Sequence, residues 1–207
     1  MLARILEQKK NPPKVVAMNE AVASLWAEGR DLGSLTVSEI TSRAGIGKGT
    51  AYEYFSSKEE IIATALEYDL KIQLEHLIAI EEHATSFRDI LEKLMDWLKD
   101  NFQNNSIFTI FFRHDSWVKK IMSQLPAEQC QCDPKQGAEI VSIMISQALA
   151  VGEAEGVIKK QNPYFGIVAV ISQLMSFSMY LANPGYAEVT IDEARAFAVD
   201  SIIKMLN

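Results

Sequence analysis

The stretch AGIGKGTAYEYF, Ala44 to Phe55, decides the reading of this 207-residue chain. It crowds three glycines, a lysine, a threonine and two tyrosines into a short run with little net charge. Gly45-Ile46-Gly47 breaks the backbone, and a short helix from about Lys48 to Phe55 follows. Within it Ala51 and Phe55 are four apart and turn inward, which leaves Thr50, Tyr52, Glu53 and Tyr54 outward. Just upstream, TVSE (Thr36 to Glu39) has the spacing of a capping box. It opens another short helix whose inner face is Val37, Ile40 and Ala44. A third helix precedes both. NPPK (Asn11 to Lys14) starts it, Val15, Met18, Val22, Leu25 and Trp26 form its apolar face, and Gly29 ends it. Two short helices joined by a tight glycine turn, with a helix before them, describe a helix-turn-helix.

Helical periodicity continues through the rest of the chain. SKEE (Ser57 to Glu60) is a second capping-box pattern, opening a long helix with the ridge Ile62, Leu66, Leu70, Leu74 and Leu77. Further helices are expected near Phe87–Phe102, Ile107–Leu125, Lys135–Glu155, Pro163–Ala182 and Ile191–Leu206, and no strand-like alternation bounded by hairpin turns appears. The fold class is all-α. A hydrophobic fraction of 48% supplies a core. Up to Glu60 there are eight Lys/Arg and eight Asp/Glu, and the remainder holds twelve basic and nineteen acidic residues. The acidic body repels polyanions, so nucleic-acid contact belongs to the N-terminal part. Arg4 and Glu7 interrupt MLARILEQKK, which predicts no secretory signal, and CQC (Cys130, Cys132) implies no disulfide framework. A reducing cytoplasm is the expected compartment.

The composition of 44–55 suits a surface that lies close to DNA. Small residues at Gly47 and Gly49 let backbone N–H groups approach a phosphate, and the hydroxyls of Thr50, Tyr52 and Tyr54 reach phosphates or base edges. Lys58 adds a cation. The run TVSEITSRAGIGKGTAYEYFSSKEEIIATAL resembles the N-terminal DNA-binding domain of the tetracycline-repressor (TetR) family of bacterial transcriptional regulators. The resemblance extends from about Val15 to Leu66, roughly a quarter of the chain. It implies a helix-turn-helix domain over 1–60 and a larger helical ligand-binding and dimerisation domain over 61–207. It further implies DNA contacts by Thr36, Lys48, Gly49, Thr50, Tyr52, Tyr54 and Lys58, a palindromic double-stranded DNA operator, a homodimer, and release by a small-molecule inducer. The chain departs from the family where Gly47 replaces a serine or other polar residue, because glycine has no side chain with which to cap.

Gln161 to Ala187 carries no charge and is long enough to span a bilayer. A helix apolar on every side is also what a dimer interface produces. With the neighbouring Ala138–Gly152 it predicts a four-helix interface through 135–155 and 163–182, and no membrane. Aromatic and methionine side chains point to an apolar inducer pocket drawn from Trp97, Phe111, His114, Trp117, Met144, Gln147, Met175, Met179 and Tyr180. For each of these a plain helical core position is the simpler reading. No cofactor and no metal are expected, since CQC has no further Cys or His near it, and His76 and His83 stand among glutamates. His114-Asp115 without a Gly-x-Ser-x-Gly elbow makes no hydrolase. The alternative from another class is a helical binding protein or enzyme that does not use its helix-turn-helix on DNA, which the neutral N-terminal charge leaves open.

Overall fold

A computed structural model describes residues 11–112, 134–183, 185 and 188–207, and among them every regular element is helical. The α-helices are α1 (Pro13–Ala27), α2 (Val37–Arg43), α3 (Lys48–Tyr54), α4 (Lys58–His83), α5 (Phe87–Gln103), α6 (Pro134–Ala154), α7 (Pro163–Ala182) and α8 (Ile191–Met205). Short 3-10 turns occupy Leu32–Ser34 and Ile107–Phe112. Of the helix expected over 107–125, the described part is the second of these turns, and the rest lies outside the described residues. The chain forms two compact units. One comprises residues up to Glu75 with Asn104–Asp133, the other His76–Gln103 with Pro134–Asn207. Helix α4 contributes residues to both.

In the first unit the local signals set each helix end. Pro13 opens α1, where a missing N–H costs nothing. Gly29 closes it at φ +83°, donating its N–H to the Trp26 carbonyl at 2.8 Å, while the Arg30 N–H reaches Leu25 at 3.1 Å. At the start of α2 the Thr36 hydroxyl accepts from the Glu39 N–H, and the Glu39 carboxylate accepts from the Thr36 N–H at 2.9 Å. The capping box read at Ser57–Glu60 is displaced by one residue on its return side. Ser57 Oγ accepts from the Glu60 N–H, but the Glu60 carboxylate turns back to the Ser56 N–H.

These ends aim apolar side chains at one core. Met18, Val22, Ile40, Ala51, Ile62 and Leu66 are fully buried, joined by Val15, Leu25, Phe55, Ile107 and Ile110. Each large aliphatic side chain taken from water there contributes about 1.5–3 kcal/mol. Residues 105–110 are tied to α1 by polar contacts as well. The Trp26 indole N–H donates to the Ser106 carbonyl at 3.3 Å, and Asn105 Nδ2 donates to the Trp26 carbonyl at 2.9 Å.

The second unit is held by close helix approach and charge. A Cβ on Gly152 of α6 would lie 2.7 Å from the Phe87 ring, so α6 comes down on the buried start of α5 through that glycine. One turn later the Glu155 carboxylate accepts the Phe87 N–H at 3.0 Å. Arg195 of α8 grips Asp96 of α5 with two hydrogen bonds of 2.8 and 2.7 Å, and Arg88 reaches Asp200 at 2.9 Å. A capping box at Thr190 and Glu193 starts α8.

Candidate nucleic-acid interface

Helices α2 and α3 meet at a turn whose geometry is dictated by Gly45. It adopts φ +67°, and the Ile46 N–H reaches the Thr41 carbonyl at 2.9 Å. That left-handed residue reverses the chain at little cost only because it is glycine. Ile46 then packs on the core, and Gly47 becomes the N-cap of α3 with no side-chain hydrogen bond, as its lack of a side chain requires.

Ala51 and Phe55 anchor α3, exposed by 0% and 6%. Turning about 100° per residue places Gly49 roughly 160° and Glu53 roughly 200° from Ala51, opposite the core. Thr50 and Tyr54 fall to one flank of this ridge and Tyr52 to the other. Tyr52 and Tyr54 are 54% and 39% exposed, large apolar rings facing outward. Their exposure has no counterpart in core packing.

Gly47 and Gly49 are the informative residues. Gly47 has an ordinary φ of −69°, Gly49 lies within a regular helix, and neither shows the positive φ that would require glycine. A Cβ at either position would meet nothing within 4 Å. Among the described residues nothing therefore calls for glycine there, while glycine within a helix costs about 0.5–1 kcal/mol relative to alanine.

The charges around the ridge are mostly occupied. Arg43 holds Glu28 of α1 through two hydrogen bonds of 2.6 and 2.8 Å and also donates to Ser24 Oγ, bracing α2 against α1. Arg30 pairs with Glu39. Hydrogen bonding to Arg43 holds the Glu28 carboxyl below its usual range and Arg43 above its own. Glu39 is likewise held low, chiefly by Thr36 and then by Arg30. Lys48 is exposed and makes no ion pair or hydrogen bond among the described residues. The Lys58 ammonium donates to the Gly33 carbonyl at 2.6 Å, which uses one of its three N–H groups. Thr36 is exposed, with its hydroxyl engaged in the capping box. Thus Lys48, Gly49, Thr50, Tyr52 and Tyr54 share α3, and Thr36 and Lys58 stand at the starts of the helices on either side of it. Sequence reading missed the two arginine braces, which join residues nine and fifteen positions apart that no local pattern pairs.

The residues proposed for an inducer pocket fall in the second unit with mixed placement. Met144 on α6 is buried, and Trp97 on α5 and Met175 on α7 are half-buried. Gln147 is exposed and Met179 is 70% exposed. The Tyr180 hydroxyl donates to the Val189 carbonyl at 2.6 Å and its ring stacks on Phe177, so it fastens the end of α7 to the segment before α8. His114, Trp117, the side chain of Phe111 and both cysteines lie outside the described residues.

Comparison with known proteins agrees with this geometry. Residues 21–65 match the family model of bacterial regulatory proteins, tetR family. Its N-terminal helix-turn-helix is thus of the tetR-family kind. The chain is 28% identical over 102 residues to the HTH-type transcriptional regulator YxbF of Bacillus subtilis. That match takes in 49% of this chain and only 26% of YxbF. Solved structures extend the likeness over nearly the whole fold. A TetR transcription regulator from Haloarcula marismortui superposes with a TM-score of 0.70 at 19% identity, covering 94% of this chain and 98% of that one. The regulator FadR from Bacillus subtilis, solved in complex with stearoyl-CoA, gives 0.63 at 14% identity, covering 93% and 97%.

Proposed function

We propose that this chain is a TetR-family transcriptional regulator that binds an inverted-repeat DNA operator as a homodimer and represses until a small molecule binds its second unit. The observation that carries the DNA reading is the outer ridge of α3. Gly47 and Gly49 open a path to its backbone, and Tyr52 and Tyr54 present hydroxyls on its flanks. In this reading Lys48, Thr50, Tyr52, Tyr54 and Lys58 hold phosphates or base edges, with Thr36 at the start of α2 beside them. Binding should be measured by fluorescence anisotropy on an operator selected from the source DNA. Tyr52→Ala and Lys58→Ala should each weaken it about tenfold or more while the protein stays folded. Unchanged affinity in both would remove α3 from the interface.

An uncovered apolar surface supports the homodimer. On α7, Tyr164, Phe165, Val168, Ile171 and Met179 are 40–70% exposed, and on α8 Phe197 is 70% and Met205 48% exposed. Helix α7 is also the one described helix long and apolar enough to cross a membrane, and the acidic, ion-paired helices beside it favour a partner protein over a bilayer. We favour 163–182 with 191–205 over the expected pairing of 163–182 with 135–155, since among the described side chains of α6 the large apolar one left exposed is Val151. Val168→Glu with Met179→Glu should yield monomers by light scattering, and a persisting dimer would place the interface elsewhere.

Inducer binding is assigned to the second unit, around Trp97, Met144 and Met175. Helix α4 links it to the reading head through the chain itself, and a ligand acts by favouring a state whose half-site spacing fails to match the operator.

A further inference from the structure

The outermost side chain of α3 is one that the resemblance does not assign. Glu53 stands four residues after Gly49 on the same ridge, opposite Ala51, and is exposed. Among the described residues it takes part in no ion pair and no hydrogen bond. The neighbouring carboxylates are different. Glu28 is bound by Arg43, Glu39 by Arg30 and Thr36, and Glu60 by Ser56. A helix that lies against a polyanion thus carries an uncompensated negative charge at its point of closest approach.

Only a few groups on DNA give anything to such a carboxylate. Beside a phosphate it is repelled, by about fivefold in affinity at 4 Å in water and by far more where water is excluded. In the major groove the available donors are the exocyclic amino groups of cytosine and adenine. Adenine places the N7 acceptor next to its N6 amino group, so the second carboxylate oxygen meets a lone pair. Cytosine places a C–H next to N4, and no acceptor opposes the carboxylate there. Tyr52 and Tyr54 stand on the two flanks of the ridge and Glu53 on its crest, so a groove that receives α3 meets Glu53 between the two tyrosines.

We infer that Glu53 reads a cytosine at one position of each operator half-site. This rests on the reading that α3 enters the major groove. Gly49 brings the backbone close, and Glu53, one turn on, converts that closeness into sequence choice.

The test uses the full chain and a library of random duplexes, with selection and sequencing for the wild type, Glu53→Gln and Glu53→Ala. Wild type should select cytosine at one position per half-site. Glu53→Gln should shift that position toward adenine, since a carboxamide pairs with N6 and N7 together. Glu53→Ala should reduce the preference there by about 5- to 100-fold and leave the other positions as they were. Because Glu53 has no partner within the described fold, the thermal melting of both variants should match wild type, which separates misfolding from altered reading. The inference is overturned if both variants bind all sequences more tightly by a common factor with an unchanged pattern, since the carboxylate then faces phosphates. It is also overturned if the selected sequence is the same for all three proteins. Failure of the wild type to select any sequence would overturn the DNA reading itself, and that arm stands apart from the variants.

Discussion

Gly49→Ala separates what the fold wants from what the partner wants. In the free protein the new methyl group enters open space, because a Cβ there meets nothing within 4 Å and the backbone is already helical. Alanine in place of glycine also lowers the entropy of the unfolded chain. The position is in the first turn of a short helix, so the gain should be about 0.5 kcal/mol, at the low end of the usual range. That corresponds to a rise of about 1–2 °C in melting temperature. On DNA the same methyl group moves the backbone outward by about the length of a C–C bond. Charged hydrogen bonds to phosphates contribute about 1.5–3 kcal/mol each, and losing one in each protomer should weaken operator binding about a hundredfold or more. Calorimetry and fluorescence anisotropy on the same preparation read both effects. A variant that is more stable and binds DNA as tightly as wild type would refute the reasoning, because Gly49 would then serve neither the fold nor the partner.

Other consequences follow from charge and packing. Arg30 and Arg43 are engaged by glutamates, and Lys58 has only a 4.0 Å ion-pair contact with Glu59, so if Lys48 and Lys58 are the phosphate-facing cations of each protomer in the proposed dimer, the logarithm of affinity should fall with the logarithm of salt at a slope of roughly −4. A slope near −8 would mean that the arginine braces open on DNA. Gly152→Ala should destabilise by about 1–3 kcal/mol in chemical denaturation, since its Cβ would overlap the fully buried Phe87 ring. A neutral result would mean that α5 and α6 adjust freely. Acid should unfold the protein progressively. Glu28, Glu39, Asp89 and Glu193 are held below their usual values by hydrogen bonds, and at Asp96 burial opposes the shift but Arg195 and Lys99 outweigh it. A depressed carboxylate contributes stability that is fully present above its unfolded value and is lost as pH falls through the lower folded one. Stability should therefore be level near neutrality and decline below about pH 4.5. A maximum at lower pH would contradict these ion pairs.

Local chemistry was legible in the sequence and distant chemistry was not. The Thr36–Glu39 box, the glycine stops at 29 and 45 and the inward Ala51 and Phe55 act within four residues, and each stands where its pattern placed it. The Thr190–Glu193 box has the same spacing, but it follows a Pro- and Gly-rich break that masks it as a helix start. Glu60 shows the limit even of local rules, since its carboxylate takes the N–H of Ser56 where the box pattern assigns that of Ser57. The Arg195–Asp96 clamp joins residues 99 apart, and periodicity carries no information about it. Helix α7 is apolar on all sides, so its sequence could not reveal which side its own chain covers. The uncovered side, with Phe197 and Met205 of α8, emerged only from the folded unit. Glu53 was legible as outward, but its importance depended on finding its neighbouring carboxylates engaged.

The measurement that bears most directly on the central claim is recovery of source DNA by the purified full chain. Sheared genomic fragments retained at moderate salt would be sequenced for wild type and Tyr52→Ala in parallel. Wild type should enrich one or a few inverted repeats whose half-site centres lie about one helical turn, ~34–36 Å, apart or a multiple of it, and Tyr52→Ala should lose them. Recovery of the same fragments by both proteins, or no enrichment by wild type, would contradict the assignment of α3 as the surface that reads DNA.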